Sequence, residues 1–195
     1  GKPYAYDVGR FNDGVFVYIA AFGIFTEVSY ATDQNFKKLL GHLAYLLQGI
    51  KSLTEVRSYK MKVTIDDKVY EDEFIYGMVT NSVSVGGFKN LTGPNVQLDD
   101  GLFEVTFIRR PKNVFELQEM IASLLLEEDK TDMIISCKTG RIKVEAENEV
   151  AWTLDGEFGG NLKEVVIENE KQRMMIMQNK ATDEELLLQF DENEL

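Results

Sequence analysis

Short runs of β-branched and aromatic residues recur along most of this 195-residue chain, and turn residues close each run. Met61, Val63 and Ile65 alternate with Lys60, Lys62 and Thr64, the two-residue period of a strand with one buried face. Asp66-Asp67 then reads as a hairpin turn into Val69 and Tyr70. Residues 15–19, 74–80, 102–108, 133–137, 141–147, 150–154, 165–168 and 173–177 read as further strands. Gly93-Pro94-Asn95, Thr139-Gly140, Glu147-Asn148 and Asn169-Glu170 punctuate them. Many short strands with regular turns predict a mainly β chain folded as an antiparallel β-sandwich.

Two or three peripheral helices interrupt the strands. Phe36, Leu39, Leu40, Leu43, Leu47 and Ile50 recur at helical spacing, so residues 33–51 are expected to form an amphipathic helix. Asn113 precedes Glu116 by three residues, a capping box that opens a second helix with Leu117, Met120, Ile121, Leu124 and Leu125 on one face. Thr182 with Glu185 predicts a third, short helix through Phe190. The organisation expected is a β domain over residues 1–178 and an acidic helical segment over residues 179–195.

Hydrophobic residues make up 44% and charged residues 28%, a balance that supports a packed core rather than a disordered chain. The formal charge is -12. A phosphate backbone attracts a Lys/Arg excess, so this balance speaks against nucleic acid as a partner. Six acids and no base fall in the last 13 residues, so half of that charge sits in the tail. One His and one Cys exclude a Cys/His zinc cluster, an intrachain disulfide and a Cys-x-x-Cys pair. The charge-free run from Gly14 to Thr26 is shorter than the roughly 20 residues that span a bilayer and reads as buried strand. Cytoplasmic residence is expected from the sparse cysteine and the missing signal pattern.

Four segments carry candidate chemistry. In Leu98-Asp99-Asp100-Gly101-Leu102, carboxylates and turn carbonyls are the oxygen donors that suit a hard divalent cation; an ordinary Asp-Gly turn is the plainer reading. In Trp152-Thr153-Leu154-Asp155-Gly156-Glu157, a carboxylate at a strand end can act as general base toward a hydroxyl, or merely be solvated in a turn. Thr80-Asn81-Ser82 followed by Gly86-Gly87-Phe88 suggests a loop where backbone approaches a ligand, or a flexible loop. His42 has no nearby partner for catalysis, and Cys137 with Met174, Met175 and Met177 reads as strand packing. No Gly-x-x-x-x-Gly-Lys-Ser/Thr or Gly-x-Gly-x-x-Gly loop is present.

Taken in order, these segments resemble the C-terminal half of bacterial diacylglycerol kinases and related lipid kinases. The matching stretches are Asp7-Val8-Gly9-Arg10, Ala20-Ala21-Phe22-Gly23, Gly41-His42-Leu43-Ala44-Tyr45, Thr80-Asn81-Ser82 with Gly86-Gly87, Leu98-Asp99-Asp100-Gly101-Leu102 and Leu154-Asp155-Gly156-Glu157. The resemblance implies a β-sandwich related to that of NAD kinases, forming the substrate side of a cleft. It implies an N-terminal nucleotide-binding domain that holds ATP and is not part of this sequence. It implies Glu157 as the base that takes the lipid hydroxyl proton, with Asp155 as its neighbour or a metal contact. It also implies Mg²⁺ held by the Asp100 side chain and the Gln97 and Leu102 carbonyls. The activity implied is ATP-dependent phosphorylation of a lipid hydroxyl at the membrane surface, diacylglycerol first, with the isolated chain inactive. A sphingoid-base kinase, or a non-catalytic lipid-binding or regulatory module, stays open as an alternative, as does a homodimer. One departure from the family pattern is Asn81-Ser82-Val83-Ser84-Val85-Gly86-Gly87-Phe88, where relatives often carry a longer glycine run after Asn-Gly.

Overall fold

The computed structural model describes residues 1–24, 26, 56–85, 92, 95–126 and 131–178. Among these residues nine strands and one helix follow in chain order: β1 Lys2–Phe11, β2 Gly14–Phe16, β3 Ile19–Gly23, β4 Tyr59–Ile65, β5 Lys68–Thr80, β6 Phe103–Arg109, α1 Val114–Leu126, β7 Ile134–Thr139, β8 Arg141–Leu154 and β9 Glu157–Gln178. The expected helices at 33–51 and 182–190, with His42 and the Gly86-Gly87 pair, lie outside the described residues.

All nine strands belong to one antiparallel sheet, ordered β2-β1-β9-β8-β3-β5-β6-β7, with β4 pairing both β5 and β8. The long strands β5 and β8 share β3 at one end and β4 at the other. β3 and β4 therefore lie end to end in one slot between β5 and β8, and the two layers of the expected sandwich are parts of one continuous, barrel-like curled sheet with edges at β2 and β7. Inside it lie Phe11, Phe22, Val63, Phe74, Phe103, Phe107, Val144, Trp152 and Ile167. Trp152 meets Phe11 and Phe22 edge-on, at ring separations of 5.1 and 4.9 Å.

A second core lies on the outer face of β3, β5 and β6. There Leu117, Met120, Ile121 and Leu124 of α1 cover Ala21, Tyr76, Met78 and Ile108. The capping box forms as the sequence predicts: the Glu116 N–H donates to Asn113 Oδ1 and Asn113 Nδ2 donates to Glu116 Oε1, both at 3.0 Å. β6 therefore has both faces buried, with Glu104 and Thr106 enclosed among its apolar residues. No helix among the described residues is long and apolar enough to cross a membrane.

Three strand boundaries differ from expectation. The run at 15–19 breaks at Val17–Tyr18, because Asp155 takes the backbone N–H groups there. The segments at 141–147 and 150–154 are one strand, β8, whose register slips between Glu145 and Val150. Likewise 165–168 and 173–177 belong to one 22-residue strand, β9. Its Asn169-Glu170 pair stays in register with β1, and the irregularity falls after it, where Gln172 takes φ 54°. Polar residues that look like turns are absorbed as bulges when both neighbouring strands keep pairing. The Lys2–Phe11 strand was not foreseen, since Asp7, Gly9 and Arg10 break its pattern; pairing with β9 imposes it. Met175 and Met177 are not buried filler: they stand 62% and 67% exposed on the ribbon that β9 forms with the start of β1.

Candidate functional site

Asp155 and Gly156 form the two-residue turn between β8 and β9, closed by the Leu154–Glu157 pair. Their φ angles are 50° and 90°, the left-handed pair that a type I′ hairpin requires and that Asp-Gly adopts readily. The turn is then pinned from outside. Asp155 Oδ2 accepts from the Val17 N–H at 2.8 Å, and Oδ1 accepts from Tyr18 at 2.9 Å and Ile19 at 2.8 Å. The Asp155 N–H donates back to the Ile19 carbonyl at 2.8 Å. A carboxylate receiving three backbone donors is a structural clamp. It fixes the corner between β2 and β3 against the hairpin.

Glu157 is left different work. It opens β9 beside Leu154, its side chain is exposed, and no hydrogen bond or ion pair engages it among the described residues. Its neighbour Phe158 is 72% exposed. The hairpin thus presents one unengaged carboxylate next to one bare aromatic ring, on the rigid base that Asp155 provides.

The loop before β6 holds Gln97, Asp100 and Leu102. Asp100 Oδ1 accepts from the Leu102 N–H at 2.8 Å, closing a tight Asx turn in which Gly101 takes φ 90°. The loop is anchored by Asp7, a fully buried carboxylate on β1. Asp7 Oδ2 accepts from the Gly101 N–H at 2.6 Å and Oδ1 from the Gln172 N–H at 2.7 Å. The Asp7 N–H donates to the Leu98 carbonyl at 2.8 Å. Asp7 therefore joins two backbone irregularities: the bulge in the β1–β9 ladder and the acidic loop.

The two groups of candidates do not touch. Asp155 and Glu157 share the hairpin, Gln97, Asp100 and Leu102 share the loop, and no direct hydrogen bond or ion pair joins the sets. Among the described residues no three His, Cys, Asp or Glu side chains cluster as a metal site. A cation at the loop would rest on Asp100 and main-chain carbonyls. Those are hard oxygen donors of the kind Mg²⁺ takes. Asn81 faces this loop with its Nδ2, which donates to the Leu98 carbonyl, so it adds no oxygen to that donor set. The residues present fit such an ion.

Glu104 was not anticipated. It lies on β6 with its side chain 2% exposed, paired to Lys138 at 3.0 Å, and Lys138 Nζ also donates to the Asn95 carbonyl at 2.6 Å. Burial pushes its carboxyl above the usual carboxylate range, and the Lys138 hydrogen bond and charge oppose that shift. An acid inside a strand legible in the sequence was the signal for Glu104; Asp7 gave no such signal, because its strand is imposed by pairing with β9.

The model of the YegS C-terminal NAD kinase beta sandwich-like domain matches residues 19–177. The chain belongs to this family. It is 34% identical over 157 residues to a diacylglycerol kinase of Bacillus subtilis, covering 80% of this chain and 51% of that protein. It is 28% identical over 182 residues to a diacylglycerol kinase of Staphylococcus epidermidis, covering 93% and 57%. A solved structure of a candidate diacylglycerol kinase from Bacillus anthracis str. Sterne superposes with a TM-score of 0.66 at 27% identity, over 92% of this chain and 59% of that one. A second B. anthracis structure shares the fold at a TM-score of 0.59 and 23% identity, over 92% and 56%. The chain spans about half the length of the curated relatives it matches. The mainly β class and the resemblance read from the sequence motifs hold.

Proposed function

We propose that this chain is the substrate-side domain of an ATP-dependent lipid kinase, with diacylglycerol as the first substrate to test. The observation that carries the reading is the contrast within one motif: Asp155 is committed to three backbone donors while the exposed Glu157 carboxylate has no partner among the described residues. Family membership and relatives named diacylglycerol kinase support it.

In this reading Glu157 accepts the proton of a lipid hydroxyl. The lipid oxygen bonds to the γ-phosphorus of ATP as the β–γ bridging P–O bond breaks, and ADP leaves. Asp155 positions the hairpin and takes no proton. Phe158, beside the base, offers an apolar contact to the acyl chains or the membrane surface. Asp100 with the Gln97 and Leu102 carbonyls would hold Mg²⁺, which supplies a fixed positive charge to the acidic loop when bound. The nucleotide grip comes from a further domain of the kind the relatives' extra length accommodates, so the 195 residues alone are inactive.

The test is Glu157→Gln in the protein joined to its nucleotide-binding half, assayed with labelled ATP on diacylglycerol and on a sphingoid base. Turnover should fall by about a hundredfold or more, the loss typical of a general base. Unchanged turnover would remove Glu157 as the base and leave a lipid-binding module. The labelled product names the substrate class.

A further inference from the structure

We propose that Asn81 is a positioning residue that couples the acidic loop at residues 97–102 to the Asp155–Glu157 hairpin. Its functional consequence rests on the reading of those two sites given above. The coupling itself is a property of this chain and can be tested without catalysis.

Asn81 follows β5 and is 5% exposed. Its N–H donates to the Tyr18 carbonyl at 3.0 Å. Its Nδ2 donates to the Asp7 and Leu98 carbonyls, each at 3.1 Å. Two carbonyls facing one end of the side-chain amide require that end to be the nitrogen, so the orientation is fixed by chemistry. One residue therefore holds three segments that are remote in sequence.

Each of those contacts leads on to a site. Tyr18 donates its N–H to Asp155, while its carbonyl also accepts from Thr80 Oγ1 at 2.6 Å. Asp7 accepts from Gly101 inside the acidic loop, and Leu98 is part of that loop. The path from Gly101 through Asp7, Asn81 and Tyr18 to Asp155 has no step longer than 3.1 Å. Every step ends on at least one main-chain atom. Side-chain rotation cannot slacken such a path without breaking one of its hydrogen bonds, of which the Asn81–Asp7 bond is buried. A displacement of the loop, such as ion binding at Asp100 would produce, is passed to the clamp under Glu157. Asn81 touches neither the lipid hydroxyl nor the ion in this arrangement.

The test is backbone amide exchange by NMR on the 195-residue chain, comparing the natural sequence with Asn81→Asp and the milder Asn81→Ser. Both variants remove the paired Nδ2 donors, and the first also sets a carboxylate against two carbonyls. Exchange at Gly101 and at Val17, Tyr18 and Ile19 should rise together, by about tenfold or more for lost buried hydrogen bonds. The Val144 and Val165 amides in the barrel report whether the fold is kept. Faster exchange at Gly101 with Val17–Ile19 unchanged would overturn the proposal and reduce Asn81 to a pin for the loop.

An Mg²⁺ titration of the unaltered chain supplies the second arm, needing no variant to fold. Amide signals of residues 97–102 and 17–19 should move with a single apparent affinity. Movement in the loop alone would also overturn the coupling. No movement anywhere would instead count against the Mg²⁺ site, and the exchange comparison would still decide the coupling.

Discussion

At the scale of single residues, the Leu154-Asp155-Gly156-Glu157 stretch shows that two acids two positions apart can hold unlike posts. Asp155 sits where a type I′ turn needs φ above zero, and its short side chain reaches back over the β2–β3 corner. Glu157, next on the same turn, begins a strand and faces solvent. Removing the clamp should loosen the corner: Asp155→Ala should lower the urea midpoint more than Asp155→Asn, which keeps one acceptor oxygen. Equal midpoints would show that the three N–H groups find water instead. Glu104 gives the pH-dependent case. Its folded carboxyl titrates above the usual value of 4.5, so the unfolded chain ionises first. Its contribution to stability is then whole below about pH 4.5 and is lost as the pH rises through the raised folded value. Glu104→Gln should flatten the stability profile in that window, read by denaturant midpoints at successive pH values. Lys138→Ala should do the opposite and cost about 3 kcal/mol at neutral pH, because it leaves a buried carboxylate unpaired.

At the scale of elements, local signals worked where an element's environment is local. The Asn113–Glu116 box is built from residues three apart and forms as read, so α1 begins where the sequence places it. Asn113→Ala should lower stability by about 1 kcal/mol with an unchanged denaturant slope, the ordinary cost of a lost N-cap. The hairpin at Asp66-Asp67 likewise pairs Ile65 with Lys68 across two residues. The long strands were less legible. Glu147-Asn148 and Asn169-Glu170 have turn composition, yet both lie inside strands: pairing with β9 resumes at Val150 beyond the first, and β1 pairs with the second. Bulge or turn is decided by whether a neighbouring strand continues, and that neighbour is remote in sequence: Lys2 pairs with Gln178.

At the scale of the whole molecule, the barrel-like sheet is what brings the acidic loop and the hairpin onto one framework, since β1 and β9 carry Asp7 and Glu157 while Asn81 directly follows β5. A protein that binds Mg²⁺ at this loop should melt higher in its presence, by the equivalent of about 2.7 kcal/mol at a hundred times the dissociation constant. Thermal unfolding with millimolar Mg²⁺, against Asp100→Asn as control, checks this; equal shifts in both would remove Asp100 from the site. What the sequence determined by itself was the mainly β class, the capped helix, the acidic motifs and the family they resemble. Those rest on periods of two and of 3.6 residues and on contiguous motifs, which a chain carries in its order. What only the tertiary structure decided was which acid is clamped and which is free, that Asp7 and Glu104 are buried, and that Asn81 bonds three separate segments. Those are outcomes of contacts between segments remote in sequence, such as the hydrogen bond from Gln172 to Asp7, 165 residues apart. Burial and hydrogen-bond partners of that kind are set by neighbours in space, which no local pattern encodes.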